Sequence, residues 1–136
     1  MLNILQVEDN PGDVVLLQEI VHIIDEHIRV HVTTSVDEAL AFLTRKAPYQ
    51  DAPPADLVLL DFNMPGSTGD MLLTRVKSAL PFDRRPPIVV FTSSANPVDR
   101  ALSLSLGASA YVVKPLELHD FYRTIANLMR VHIPSA

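Results

Sequence analysis

The chain contains no cysteine. Disulfides, thiolate zinc sites and a cysteine nucleophile are therefore excluded at once. The absence also fits a reducing compartment. Basic charge is in deficit, with 11 Lys and Arg against 16 Asp and Glu and a formal net charge of −5. The longest basic runs are the pairs Arg45-Lys46 and Arg84-Arg85. Nucleic acid is thus a poor primary partner. Long apolar runs are missing too. None approaches the ~20 residues a membrane-spanning helix needs. The opening MLNILQVEDN is apolar for only a few residues before an acid, too short for a signal-peptide core. These absences predict a cytoplasmic protein with neither a membrane nor a nucleic-acid role.

What is present is a large apolar fraction, 48% of 136 residues. Such a composition is incompatible with disorder. The length predicts a single domain spanning 1–136 with no output domain. A chain of this size buries roughly two-thirds of its extended surface, enough for a core without staples.

Four short runs, 2–7, 57–60, 88–91 and 110–113, are continuously apolar and mostly aliphatic. Parallel strands covered on both faces read this way. A fifth run, 28–33, alternates more and is expected at an edge. Helical patterns lie between them. Asn10-Pro11 supplies an N-cap and a proline at the first helical position, ahead of Val14, Leu17, Ile20, Val21 and Ile24 on one side. Ser35-Val36-Asp37-Glu38 is a capping-box pattern opening a helix through 39–44. A third helix is predicted over about 69–80. Asn96-Pro97 opens a fourth, ended by Gly107. The fifth covers about 117–131. The proline-bearing segments 47–54 and 81–87 read as loops entering strands at the far end of the sheet. Strand and helix alternate five times, which predicts a doubly wound α/β fold with a parallel sheet and right-handed crossovers.

Sites in such sheets form at the carboxyl ends of the strands. Those ends carry Glu8-Asp9, Asp61, Thr92-Ser93-Ser94 and Lys114-Pro115. Clustered carboxylates repel one another unless a cation sits among them. An oxygen-only donor set suits Mg²⁺. A carboxylate in that setting can attack phosphorus to give an aspartyl phosphate. Such transfer needs positive charge on the phosphoryl oxygens, which Mg²⁺ and Lys114 can supply. Taken singly, an acid after a strand is often a helix cap, and a strand-end Thr or a Lys-Pro pair is ordinary loop chemistry. All four together, at the ends of strands one, three, four and five in this order, are not.

The chain resembles the receiver domain of two-component response regulators over residues 1 to 130. The resemblance rests on Val7-Glu8-Asp9-Asn10, on Leu59-Leu60-Asp61-Phe62-Asn63-Met64-Pro65-Gly66 followed by Gly69, on Val90-Phe91-Thr92-Ser93, and on Tyr111-Val112-Val113-Lys114-Pro115. It implies a flavodoxin-like sheet of strand order 2-1-3-4-5. It implies that Asp61 is the phosphoacceptor, taking its phosphoryl group from a sensor histidine kinase. Asp9, Asp61 and the Asn63 backbone carbonyl would ligate Mg²⁺, and Glu8 would hold metal-bound water. Thr92 and Lys114 would bind the phosphoryl oxygens, and Lys114-Pro115 would be a cis peptide. Thr92 and Tyr111 match the family's switch pair, with the tyrosine ring moving inward on phosphorylation. The output would be read on the face made by helix four, strand five and helix five. Such a protein is no ordinary enzyme, although self-phosphorylation and autodephosphorylation belong to its chemistry. Ser93 departs from the small residue usual after the threonine. With Asn63 and Ser94, it occupies a position that tunes dephosphorylation.

Asp-Asn-Pro-Gly-Asp-Val at 9–14, the proline-rich 47–54 and Thr-Ser-Ser at 92–94 also look like stand-alone regulators partnered with phytochrome-type histidine kinases. Many of these form homodimers through the helix-four to helix-five face. Val131 and Ile133 could serve that end, whereas Ile125, Leu128 and Met129 are expected to pack the fifth helix onto the sheet. An aspartate-nucleophile phosphatase would want an acid where Asn63 stands. In a flavin binder, Glu8-Asp9 would repel the phosphate. His27 and His31 lack further zinc ligands at matching spacing. The remaining alternative is a receiver-like interaction module that works without phosphorylation.

Overall fold

The computed structural model describes residues 2–64 and 67–133. Five parallel strands form the main sheet: β1 (Asn3–Val7), β2 (Arg29–Thr33), β3 (Leu57–Leu60), β4 (Ile88–Thr92) and β5 (Ala110–Val113). Their order is β2-β1-β3-β4-β5, and β2 lies at an edge as its alternating pattern predicts. Five helices connect and cover them: α1 (Pro11–Ile24), α2 (Val36–Thr44), α3 (Gly69–Ala79), α4 (Pro97–Ser105) and α5 (Leu118–His132).

Strand periodicity of two explains why the central runs are apolar throughout. On β3, Leu57 and Leu59 face one layer, while Val58 and Leu60 face the other. The first layer packs Leu17, Ile20 and Val21 of α1 with Phe121, Ile125, Leu128 and Met129 of α5. The second packs Val36, Ala39 and Phe42 of α2 with Leu72, Leu73 and Val76 of α3. Each fully buried leucine contributes on the order of 1.5–3 kcal/mol of transfer free energy. Ile125, Leu128 and Met129 are core residues, as expected. Ile133 is also buried in that layer, whereas Val131 is exposed.

Local signals set the helix starts. Asn10 Oδ1 accepts hydrogen bonds from the N–H groups of Gly12 (2.9 Å) and Asp13 (3.2 Å). Ser35 Oγ accepts from Glu38 N–H at 3.1 Å. The return half of that capping box is not made, because the Glu38 carboxylate accepts instead from the hydroxyls of Thr34 and Tyr49. Asn96 Oδ1 caps α4 through Val98 N–H at 2.9 Å. Gly107 follows that helix with φ of +103°, a conformation glycine adopts at no steric cost.

Both proline-bearing segments lie at the amino ends of the strands. Asn3 N–H donates to Asp56 Oδ2, and Val58 N–H donates to the Pro87 carbonyl. The second segment, expected as loop, contains a 3₁₀ turn at Phe82–Arg84. A two-residue hairpin, Asn63–Met64 with Ser67–Thr68, follows β3. Pro65 and Gly66 of the quoted motif lie outside the described residues. The expected cis bond at Lys114-Pro115 is not found, since the cis peptide among the described residues is Ala47-Pro48. The small intrinsic preference at any X–Pro bond leaves the choice to context, and sequence alone does not reveal that context.

Candidate functional site

The carboxyl ends of β1, β3, β4 and β5 bring together the expected residues. Glu8 follows β1 and is nearly fully buried. Its backbone N–H donates to Thr33 O at 2.9 Å, and its Oε2 accepts from Asn10 N–H at 3.3 Å. Asp61 follows β3, with its N–H bonded to Val7 O at 3.0 Å. Its Oδ1 accepts from Asn63 N–H at 3.2 Å. Gly69 N–H bonds to Phe62 O, so Asn63 and Thr68 form the non-hydrogen-bonded type of antiparallel pair. The Asn63 N–H and carbonyl therefore point away from the partner strand.

Lys114 reaches into this cluster from the end of β5. Its N–H donates to Thr92 O at 2.7 Å, locking the ends of β4 and β5 together. Its side chain is 8% exposed, and Nζ lies 2.5 Å from Glu8 Oε1, 2.9 Å from Asp13 Oδ2 and 3.5 Å from Asp61 Oδ2. Asp13 is the participant that sequence reasoning missed. Its signal was present in the first turn of α1, directly after the N-cap, but it was read only as part of a motif.

Electrostatics follow from burial and crowding. Burial raises the Glu8 carboxyl from 4.5 to about 7; hydrogen bonding to Lys114 opposes that rise, and the neighbouring Asp61 adds to it. For Lys114, burial acts to lower the value, but hydrogen bonds to Glu8 and Asp13 and the charges of Asp61 and Glu8 outweigh it and raise it. The ammonium is thus held charged among carboxylates.

Thr92 is fully buried and Tyr111 is 6% exposed. Ser94 joins them. Its N–H approaches Thr92 Oγ1 at 3.4 Å, and its carbonyl accepts from the Tyr111 hydroxyl at 2.7 Å. The Ser94 hydroxyl donates to Asp99 Oδ2 on α4 at 3.1 Å. The tyrosine ring is thus buried with its hydroxyl satisfied. Ser93 is exposed, clear of these contacts.

Glu8, Asp9 and Asp61 each offer a carboxylate oxygen, and all three atoms lie within 4.8 Å of one another. This oxygen-only set, with one member pushed toward neutrality by burial, fits a hard divalent cation. Asp9 and Asp61 would ligate it directly, with Glu8 beside them. Such a cation offsets carboxylate repulsion and supplies positive charge where phosphoryl oxygens would lie.

A buried lysine among acids at the carboxyl edge of a five-stranded parallel sheet marks a signalling receiver. The chain belongs to the response regulator receiver domain family, whose pattern it matches over residues 4–126. It is 31% identical over 125 residues to response regulator Rcp1 of Synechocystis, spanning 92% of this chain and 84% of that one. The crystal structure of the phosphorylated cyanobacterial phytochrome response regulator RcpA superposes with a TM-score of 0.88 at 30% identity, covering 98% of this chain and 95% of that one. The Mn²⁺-bound form of Rcp1 superposes with a TM-score of 0.86 at 28% identity, covering 100% and 97%. Among the described residues, no helix is long and apolar enough to cross a membrane.

Proposed function

We propose that the protein is a response regulator that accepts a phosphoryl group on Asp61, with Mg²⁺ as the physiological ion, from a sensor histidine kinase of the phytochrome type. The observation carrying this reading is the Lys114 ammonium 3.5 Å from Asp61 Oδ2, inside a cluster of carboxylates at the sheet edge. An Asp61 oxygen forms the new O–P bond while the P–N bond of the donor phosphohistidine breaks. The electron pair leaves with the imidazole nitrogen, which takes a proton from solvent. Lys114 and the Thr92 hydroxyl then face the phosphoryl oxygens, where their charge and hydrogen bond stabilise the transferring group. Asn63, Ser93 and Ser94 would set water access to that group. Tuning of its lifetime follows.

Phosphorylation would draw the Thr92 hydroxyl away from Ser94 and favour the buried tyrosine position, in which Tyr111 holds the Ser94 carbonyl. Because Ser94 also bonds Asp99, that event reaches α4. The α4–β5–α5 face carries exposed apolar side chains, including Val98, Leu102, Val113 and Tyr122. They support it as the output surface and as a homodimer interface, to which the exposed Val131 could add.

Phosphotransfer from a labelled phytochrome-type kinase tests this reading. Rapid loss of label from the kinase to the wild type, none to Asp61→Asn, and slower transfer from unrelated kinases are expected. Equal transfer from all kinases would remove the phytochrome assignment while leaving the acceptor in place.

A further inference from the structure

Lys114 has three carboxylate partners, and the acceptor is the most distant of them. Glu8 and Asp13 lie at 2.5 and 2.9 Å, and Asp61 at 3.5 Å. Glu8 belongs to the acidic group suited to a cation, whereas Asp13 does not. Asp13 owes its place to other contacts. Its N–H is capped by Asn10 Oδ1 at 3.2 Å, and its carbonyl accepts from the buried Gln6 side chain at 3.3 Å. Its carboxylate is one-third exposed, at the rim of the site. The first turn of α1 thus presents a fixed negative charge that draws the lysine away from Asp61.

We propose that Asp13 is a positioning residue that parks the Lys114 ammonium in the unphosphorylated protein and competes with the phosphoryl group for it. The inference rests on the phosphoacceptor reading of Asp61. A phosphoryl group on Asp61 brings oxygens that want the same three ammonium protons. One ammonium proton stays committed to the Asp13 carboxylate. Replacing that carboxylate with a neutral side chain frees the proton for the phosphoryl oxygens. The charge on Asp13 therefore lowers affinity for a phosphoryl group and shortens the lifetime of the phosphorylated state. A merely structural Asp13 would act in the opposite direction, because its loss would loosen the site.

The test is a titration of beryllofluoride, a phosphoryl mimic, at saturating Mg²⁺, with the lifetime of the phosphorylated form measured alongside. Asp13→Asn should bind the mimic roughly three- to tenfold more tightly, the size expected of one charge partner at a partly exposed position. Its phosphorylated form should outlive that of the wild type by a similar factor. Asp13→Ser, which keeps a first-turn hydrogen-bonding side chain, should change affinity in the same sense. Asp13→Glu, which keeps the charge, should return toward wild type. Equal or weaker binding by folded Asp13→Asn overturns the proposal. So does tighter binding by Asp13→Glu as well, because charge would then not be the cause. If the wild type takes up neither beryllofluoride nor a phosphoryl group, the phosphoacceptor reading fails and this inference falls with it.

Discussion

In the absence of a divalent ion, the buried Glu8 carboxylate is expected to make the protein less stable as pH rises toward neutral. Its ordinary value of 4.5 becomes about 7 in the fold, with burial as the main cause. The folded state therefore holds the Glu8 proton more tightly than the unfolded chain does. The stability this supplies is fully present below 4.5 and is lost progressively as pH rises through about 7. At roughly 1.4 kcal/mol per pKa unit, the loss amounts to about 3–4 kcal/mol. Lys114, whose value is raised, remains charged across the same window and adds no opposing slope. Urea unfolding of the chelator-treated protein, measured in steps from about pH 5 to 8, reads this directly. Glu8→Gln cannot ionise, so the difference between wild type and variant isolates Glu8 from other carboxylates. Wild type should lose stability relative to the variant as pH rises. Excess Mg²⁺ should restore more stability at high pH than at low pH, because it binds the ionised folded form. Parallel stability curves for the two proteins would refute the burial argument.

Other substitutions test packing and the switch. Gly69→Ala would bring a Cβ 2.8 Å from Phe62 Cδ1 and 3.2 Å from Phe62 Cα. Overpacking of this kind should cost about 1–3 kcal/mol in denaturant unfolding, and an unchanged midpoint would show that the Phe62 loop yields freely. Asn10→Ala removes the acceptor for two N–H groups of α1 and should cost about 1 kcal/mol. Because the same cap fixes Asp13, hydrogen exchange in the first turn of α1 should rise too. Tyr111→Phe keeps the ring but deletes the hydroxyl bonded to Ser94 O at 2.7 Å. Phosphorylation of that variant should proceed normally while its effect on α4 exchange weakens, and undiminished α4 protection would argue against coupling through Ser94.

The strands were legible because burial on both faces leaves a continuous aliphatic run. Residues 57–60 and 110–113 match β3 and β5 to the residue. Asn10, Ser35 and Asn96 were legible as caps because a short polar side chain before a helix has one evident use. The ends of β1, β3, β4 and β5 carried the acids, threonine and lysine, so the site followed from topology. Features decided by tertiary context were hidden. Arg45 ends α2 with a left-handed φ of 56°, and no glycine announces it. The Glu38 carboxylate turned to Thr34 and Tyr49 because those hydroxyls lie within reach, which local pattern does not reveal. The Asp13–Lys114 pair joins residues 101 positions apart. Spacing along the chain carries no trace of it. The trans Lys114-Pro115 bond depends likewise on surroundings rather than on the dipeptide.

Intact mass after incubation with acetyl phosphate and Mg²⁺, for wild type and Asp61→Asn, tests the central claim most directly. The account predicts a gain of one phosphoryl group, about 80 Da, that requires Mg²⁺ and is absent from the variant. No gain in folded wild type, with phosphotransfer from a kinase also negative, would contradict it and favour an interaction module that works without phosphorylation. A gain retained by Asp61→Asn would contradict the choice of acceptor.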